Sequence, residues 1–248
     1  NLTVRYGESL ILSDISFSVN AGERFVVVGG SGSGKSTLMR HMIGLEAPEK
    51  GGITIGGTDI TRCPDADFRR VLRKFGVLFQ GSALLGSMTI GENVALPIIE
   101  FTHLPRVAIA NMVRMKLSLV GLECYEDYLP SEISGGMRKR AGLARAMALN
   151  PEILFLDEPS AGLDPVTASE IDDLIRHINE SLGTTLIIVT HELESIFNLG
   201  QRLIMLDKAT KRILAEGSPA GLRDESSDHR VRRFFNPRAG RAGSGPHA

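Results

Sequence analysis

The stretch Gly29-Gly30-Ser31-Gly32-Ser33-Gly34-Lys35-Ser36-Thr37 constrains this chain more than any other. It follows Phe25-Val26-Val27-Val28, a β-branched run of the kind that forms a buried strand. It precedes Leu38-Met39-Arg40-His41-Met42-Ile43, which reads as the opening turns of a helix. Strand, glycine-rich loop and helix are the setting in which G-x-x-x-x-G-K-[ST] becomes a phosphate cradle. Glycines let successive N–H groups point inward around an anion, and the helix start adds partial positive charge. In that geometry Lys35 reaches the β- and γ-phosphates and the Ser36 hydroxyl ligates Mg2+. The stretch therefore predicts a nucleoside triphosphate site, since a flexible Gly/Ser linker would not be bracketed by such a strand and helix.

Composition narrows the classes. With 248 residues, 42% of them apolar, the chain can bury a sizeable core, and a net charge of -1 gives no general affinity for nucleic acid. The two cysteines, Cys63 and Cys124, lack metal-ligand spacing and suit a reducing compartment. No paired histidine spacing points to structural zinc. No apolar run approaches the roughly 18 residues of a membrane span, and the opening residues do not read as a secretory leader. The expectation is a cytosolic chain.

Taken in order, Leu2 to Tyr6 and Ile15 to Val19 alternate apolar and polar residues as half-buried antiparallel strands do, with turns at Gly7-Glu8 and Asn20-Ala21-Gly22. Tyr6 is either a core tyrosine or a platform for a base. Residues 51–61 suggest a short hairpin and 64–75 a charged helix, leading to a strand at Gly76-Val77-Leu78-Phe79 that ends in Gln80. From Gly81 to Pro130 the pattern turns helical, over about 90–100, about 105–121 and a shorter piece before Pro130. It reads as a helical subdomain, about 81–150, inserted in an α/β core. Ser134-Gly135-Gly136 opens a further helix from Met137 to Leu149, either an ordinary helix-entry turn or a second anion-binding geometry.

Ile153-Leu154-Phe155-Leu156 is a buried strand ending in Asp157-Glu158. Two carboxylates at the tip of such a strand mark the magnesium end of a phosphate-loop ATPase, with Asp157 on the metal and Glu158 on the hydrolytic water. Asp164-Pro165 supplies an N-cap acceptor and a first-turn proline for a helix whose apolar face is Ile171, Leu174, Ile175, Ile178 and Leu182. Thr184 to Thr190 is a strand ending at His191, either a structural or solvated histidine or one that contacts the γ-phosphate, and Leu203 to Asp207 and Lys211 to Glu216 complete the sheet. After Gly217 the composition shifts to a basic tail, residues 218–248. Val231, Phe234 and Phe235 suggest a short docking helix, and 237–248 suggest disorder.

With these residues in order, residues 1–217 resemble the ATPase subunits of ABC transporters. The resemblance implies a P-loop α/β fold with a mixed central sheet, an antiparallel β subdomain and an inserted helical subdomain. It assigns Tyr6 as A-loop, Gly29–Thr37 as Walker A, Gln80 as Q-loop and Ser134-Gly135-Gly136-Met137 as the signature, acting in trans. Asp157 and Glu158 become Walker B and the catalytic glutamate, with Ser160, Ala161, Gly162, Leu163 and Asp164 as D-loop and His191 as the switch histidine. Met137 departs from the Gln common in relatives, while the Ser and two Gly that face the γ-phosphate are intact. The implied ligands are ATP and Mg2+, the latter on Ser36, Gln80 and Asp157.

A narrower likeness lies in Phe79-Gln80-Gly81-Ser82-Ala83-Leu84-Leu85, the helical stretch through Pro97 and the Asp228–Phe234 tail. These look like the ATPases of MCE-type phospholipid transporters of the Mla kind. That implies a homodimer on permease subunits, an MCE-domain protein, a STAS-domain partner, and a place on the cytoplasmic face of the bacterial inner membrane. Apolar Ala83, Leu84, Leu85, Met88 and Ile90 are the expected groove for a permease helix. The alternatives are the ATPase of another ABC importer or exporter, or a soluble ABC ATPase. A translation-type ATPase would carry two cassettes, a chromosome-type one a long coiled coil, and a GTPase an N-K-x-D motif.

Overall fold

The computed structural model describes residues 1–236. Its centre is a six-stranded sheet in the order β10 (Ile213–Gly217), β9 (Arg202–Leu206), β3 (Arg24–Gly29), β8 (Thr185–Val189), β7 (Ile153–Asp157) and β6 (Phe75–Leu78). All neighbours are parallel except β10, which runs antiparallel to β9, so the sheet is mixed. Side chains alternate across it. Val26, Val28, Leu154, Leu156, Leu186 and Ile188 enter one apolar cluster, and Phe25, Val27, Phe155, Ile187 and Val189 enter another. Both faces are therefore covered, which is why these strands are apolar throughout rather than every second residue.

The first cluster is shared with α3 (Ile90–Phe101), α4 (Arg106–Leu119), α5 (Gly135–Ala146), α6 (Pro165–Leu182) and α7 (Leu193–Leu199). The second is closed by α1 (Lys35–Met42), α2 (Asp65–Leu72) and the hairpin of β1 (Leu2–Tyr6) and β2 (Ser9–Ile15). A second small antiparallel pair, β4 (Thr54–Ile55) and β5 (Thr58–Asp59), occupies the expected hairpin. The helices α3, α4 and α5 fall between β6 and β7 in the chain. Thr89 and Glu92 start α3 with a reciprocal capping box. Asp164 caps α6 through the N–H groups of Val166 and Thr167, and Gly183 closes it at φ 67°.

Four expectations are corrected. The second strand lies at Ser9–Ile15, not Ile15 to Val19, because the tight turn at Gly7 (φ 57°) pairs Tyr6 with Ser9, and two register shifts then bring Leu2 opposite Ile15. Phe17 and Val19 still pack on the core, Phe17 stacked on Phe25 at 5.2 Å, but without strand pairing. The piece before Pro130 is a run of turns followed by a 3-10 turn at Pro130–Glu132. On α6, Leu182 is 53% exposed, outside the buried stripe of Ile171, Ile175 and Ile178. Finally, the tail contributes to the core. It forms α8 (Pro219–Glu225) and α9 (His229–Phe235), the helix expected of Val231, Phe234 and Phe235; Val231 and Phe235, one helical turn apart, are buried in the core, Phe235 beside Phe197 of α7. The disorder expected for 237–248 lies outside the described residues.

Candidate nucleotide site

The phosphate loop connects β3 to α1. Gly29 ends the strand at φ 152°, and a Cβ there would lie 2.6 Å from the Leu206 carbonyl oxygen. Gly34 sits at φ 97°, where a Cβ would lie 2.7 Å from a Leu12 methyl, so both positions require glycine. Gly30, Ser31 and Gly32 are exposed at the rim, while Ser33 is buried with its Oγ unpartnered. Lys35, Ser36 and Thr37 form the half-buried first turn of α1, which carries no acidic side chain to offset its dipole. The Lys35 ammonium donates to the Gly29 carbonyl at 2.8 Å and the Gly30 carbonyl at 3.4 Å. Burial pushes its pKa down, against the pull of the Glu158 and Asp157 carboxylates.

Parallel registers set the strand ends level: Leu78 opposite Leu156, Asp157 opposite Val189, and Val189 opposite Val27. Asp157 and Glu158 therefore emerge between Gln80 and His191, close to the loop. Oδ1 of Asp157 is buried without a hydrogen-bond partner. Burial, then the neighbouring Glu158, pushes the Asp157 pKa up, opposed by Lys35, Lys139 and the Ser36 hydroxyl. A free carboxylate oxygen beside a hydroxyl is a donor set for a hard cation, so Asp157 and Ser36 fit Mg2+. Gln80 is exposed just beyond β6, on the same rim.

Glu158 occupies a left-handed conformation, φ 48°. Its N–H donates to the Val189 carbonyl at 2.8 Å. Its buried carboxylate accepts from the Thr190 hydroxyl at 3.2 Å and meets His191 Nδ1 at 2.7 Å. His191 is about half exposed, with Nε2 3.5 Å from Glu192.

Tyr6 is no core residue: it is 45% exposed at the end of β1, its hydroxyl donating to Glu46 and lying near Thr37. Ser134 caps α5, its Oγ accepting from the Met137 N–H at 3.2 Å. Gly135 lies under Leu163 and Gly136 under Thr167, where a Cβ would come within 2.6 Å of the threonine methyl. The stretch Ser160, Ala161, Gly162, Leu163 and Asp164 thus leans on the turn Ser134-Gly135-Gly136-Met137, with Ser160 buried 2.9 Å from Ser195. Among the described residues this turn makes no hydrogen bond to Gly29–Thr37 of its own chain.

Sequence reasoning passed over Lys139, Thr190, Glu46 and Arg145. Thr190 had a signal, being the hydroxyl beside His191. Lys139 and Arg145 act on main-chain carbonyls, which no side-chain motif announces: Arg145 donates to Ser82 and Ala83, both at 2.7 Å, where the chain turns through φ 61° and 48°.

The family model described as ABC transporter matches residues 12–161. The probable ribonucleotide transport ATP-binding protein mkl of Mycobacterium bovis is 43% identical over 237 residues, 96% of this chain and 65% of that protein. The chain thus spans just under two thirds of that relative's length. The intermembrane phospholipid transport system ATP-binding protein MlaF of Haemophilus influenzae is 39% identical over 95% of this chain and 88% of its own. Among solved structures, the dimeric ATP-binding cassette MJ0796 bound to ADP and Pi superposes with a TM-score of 0.80 at 30% identity, covering 88% of this chain and 97% of that one. Fold, loop and acidic strand tip agree with these matches, and the chain belongs to the ABC transporter family as an ATP-binding cassette.

Proposed function

We propose that the chain is the ATP-hydrolysing subunit of a membrane ABC transporter whose cargo is phospholipid. The observation that carries the hydrolytic part is the Glu158–His191 contact at 2.7 Å, beside the unpartnered oxygen of Asp157 and the Lys35 ammonium. The loop N–H groups cradle the phosphates, and Lys35 exchanges the Gly29 and Gly30 carbonyls for β- and γ-phosphate oxygens. Asp157, Ser36 and Gln80 would hold Mg2+, which supplies charge neutralisation between the phosphates. Glu158 orients a water and takes its proton as the water oxygen bonds to the γ-phosphorus and the bond to the β–γ bridging oxygen breaks. His191 holds the γ-phosphate, and Tyr6 offers a face to adenine.

Two copies work head to tail, Ser134-Gly135-Gly136-Met137 of one covering the γ-phosphate held by Lys35 of the other. Support comes from the separation of turn and loop within one chain and from the dimeric relative. Residues Ser160 to Asp164 lie between the two copies' sites.

The phospholipid assignment draws on the Haemophilus relative, which this chain covers over most of its length. The implied partners are permease subunits, an MCE-domain protein and a STAS-domain protein, with the cassette peripheral on the cytoplasmic face of the inner membrane. No described helix is long and apolar enough to cross a membrane. Of the expected permease groove, Ala83 and Leu85 are exposed, Leu84 and Met88 are half-buried, and Ile90 lies in the core. The second reading, a small polar cargo, is favoured by the mycobacterial name. The deciding experiment reconstitutes the cassette, with its copurifying membrane subunits, in vesicles carrying labelled phospholipid. ATP-dependent movement of the label is expected. ATPase stimulation by a ribonucleotide, with the label stationary, would overturn the lipid reading.

A further inference from the structure

Lys139 lies five residues beyond the α5 cap Ser134, yet it is only 6% exposed, an uncommon state for a lysine. Its ammonium donates to the Gln80 carbonyl at 2.5 Å and to the Glu158 carbonyl at 2.9 Å. These carbonyls belong to the residues just past β6 and β7, adjacent parallel strands. The helix behind it is pressed onto β6. A Cβ on Gly142 would lie 2.7 Å from Leu78, and a Cβ on Gly76 would lie 1.8 Å from the Ala146 carbonyl. Lys139, Gly142 and Ala146 form one helix face, so the ammonium is delivered to the strand ends by a close-packed support.

Two consequences follow. Glu158 is a non-glycine residue at φ 48°, a conformation that costs free energy unless its surroundings hold it. Its N–H is fixed by Val189 and its C=O by Lys139, so both peptide groups around the strained residue are pinned. The same ammonium also stands behind the carboxylates of Asp157 and Glu158, offsetting part of their negative charge.

We propose that Lys139 is a positioning residue for hydrolysis: by bridging the main chains of Gln80 and Glu158 it fixes where the Glu158 carboxylate meets the water. The proposal rests on Glu158 being the hydrolytic carboxylate, and it touches no phosphate contact.

The test compares Lys139→Met, Lys139→Gln and Lys139→Arg in the full chain, each alone and with Glu158→Gln. In the Met variant kcat is expected to fall about 10- to 100-fold, the worth of hydrogen bonds from a charged donor, while KM for ATP moves less than about twofold. Gln and Arg, which keep N–H donors, restore part of the rate. In the Glu158→Gln background the Lys139 substitutions change the residual rate no further, because the group they position is gone. If the Met variant does not fold, the Gln variant against wild type carries the same comparison. Unchanged kcat, a parallel loss in kcat and nucleotide affinity, or additive losses with Glu158→Gln would each overturn the proposal. Full activity of Glu158→Gln by itself would instead overturn the role given to Glu158.

Discussion

His191 Nδ1 and Glu158 Oε1 lie 2.7 Å apart at the ends of adjacent strands, joining two residues that are 33 positions apart in the chain. The contact holds the carboxylate in place, with Thr190 on its other oxygen. It keeps Glu158 buried rather than turned out to solvent.

Glu158→Gln keeps the shape and removes the proton acceptor. ATP affinity is expected to stay within a few-fold of wild type, while hydrolysis falls about 10²- to 10⁴-fold. Nucleotide binding by fluorescence and phosphate release together check this. Near-normal turnover would show that another group activates the water.

Asp157 carries a stability consequence of fixed sign. Its folded pKa is raised by burial, so the folded state holds the proton more tightly than the unfolded chain does. The ionised form therefore costs stability at neutral pH, and the cost fades as pH falls through the raised folded pKa and is gone below the ordinary carboxylate value of about 4. Asp157→Asn should raise the melting temperature of the nucleotide-free protein at pH 7 by about 2–4 °C per kcal/mol relieved, with a shrinking gain toward pH 4. Magnesium and ATP should reverse the order, stabilising wild type more than the variant. Thermal scans across pH, with and without Mg2+ and ATP, measure both signs.

Complementation checks the shared site. Lys35→Ala and Ser134→Arg should each be nearly inactive alone. A mixed dimer places both lesions in one site and leaves the other intact, so mixing should restore ATP-dependent dimerisation and some hydrolysis. A wild-type/Lys35→Ala heterodimer shows whether one site suffices. If it does, a silent mixture in which mixed dimers form would exclude the head-to-tail arrangement.

Phe235 tests the tail. It is 4% exposed and packs edge-on against Phe234 at 5.2 Å and tilted against Phe197 at 5.8 Å. Phe235→Ala should destabilise the cassette by about 3–5 kcal/mol, read by urea unfolding. A change below about 1 kcal/mol would mean that α9 contributes little to the fold.

The sequence by itself determined whatever rests on local chemistry. The glycines of the loop, such as Gly29 and Gly34 at φ 152° and 97°, answer a local backbone requirement, and Asp164-Pro165 caps its helix with its own side chain. Apolar strands closing on charged or polar residues placed Gln80, Asp157 and His191 at strand ends, because that boundary is written in residue type. Tertiary structure decided what depends on pairing and approach. Alternating apolar residues around Ile15 told which side chains face inward, but the hydrogen-bond partner of β1 was set by the turn at Gly7. Val231, Phe234 and Phe235 marked a docking helix in the sequence, but only the tertiary structure showed that it docks on this chain's own core, with Phe235 against Phe197. Lys139 was indistinguishable from any helix-surface lysine, since its partners are carbonyls 59 and 19 residues away and every residue carries a carbonyl.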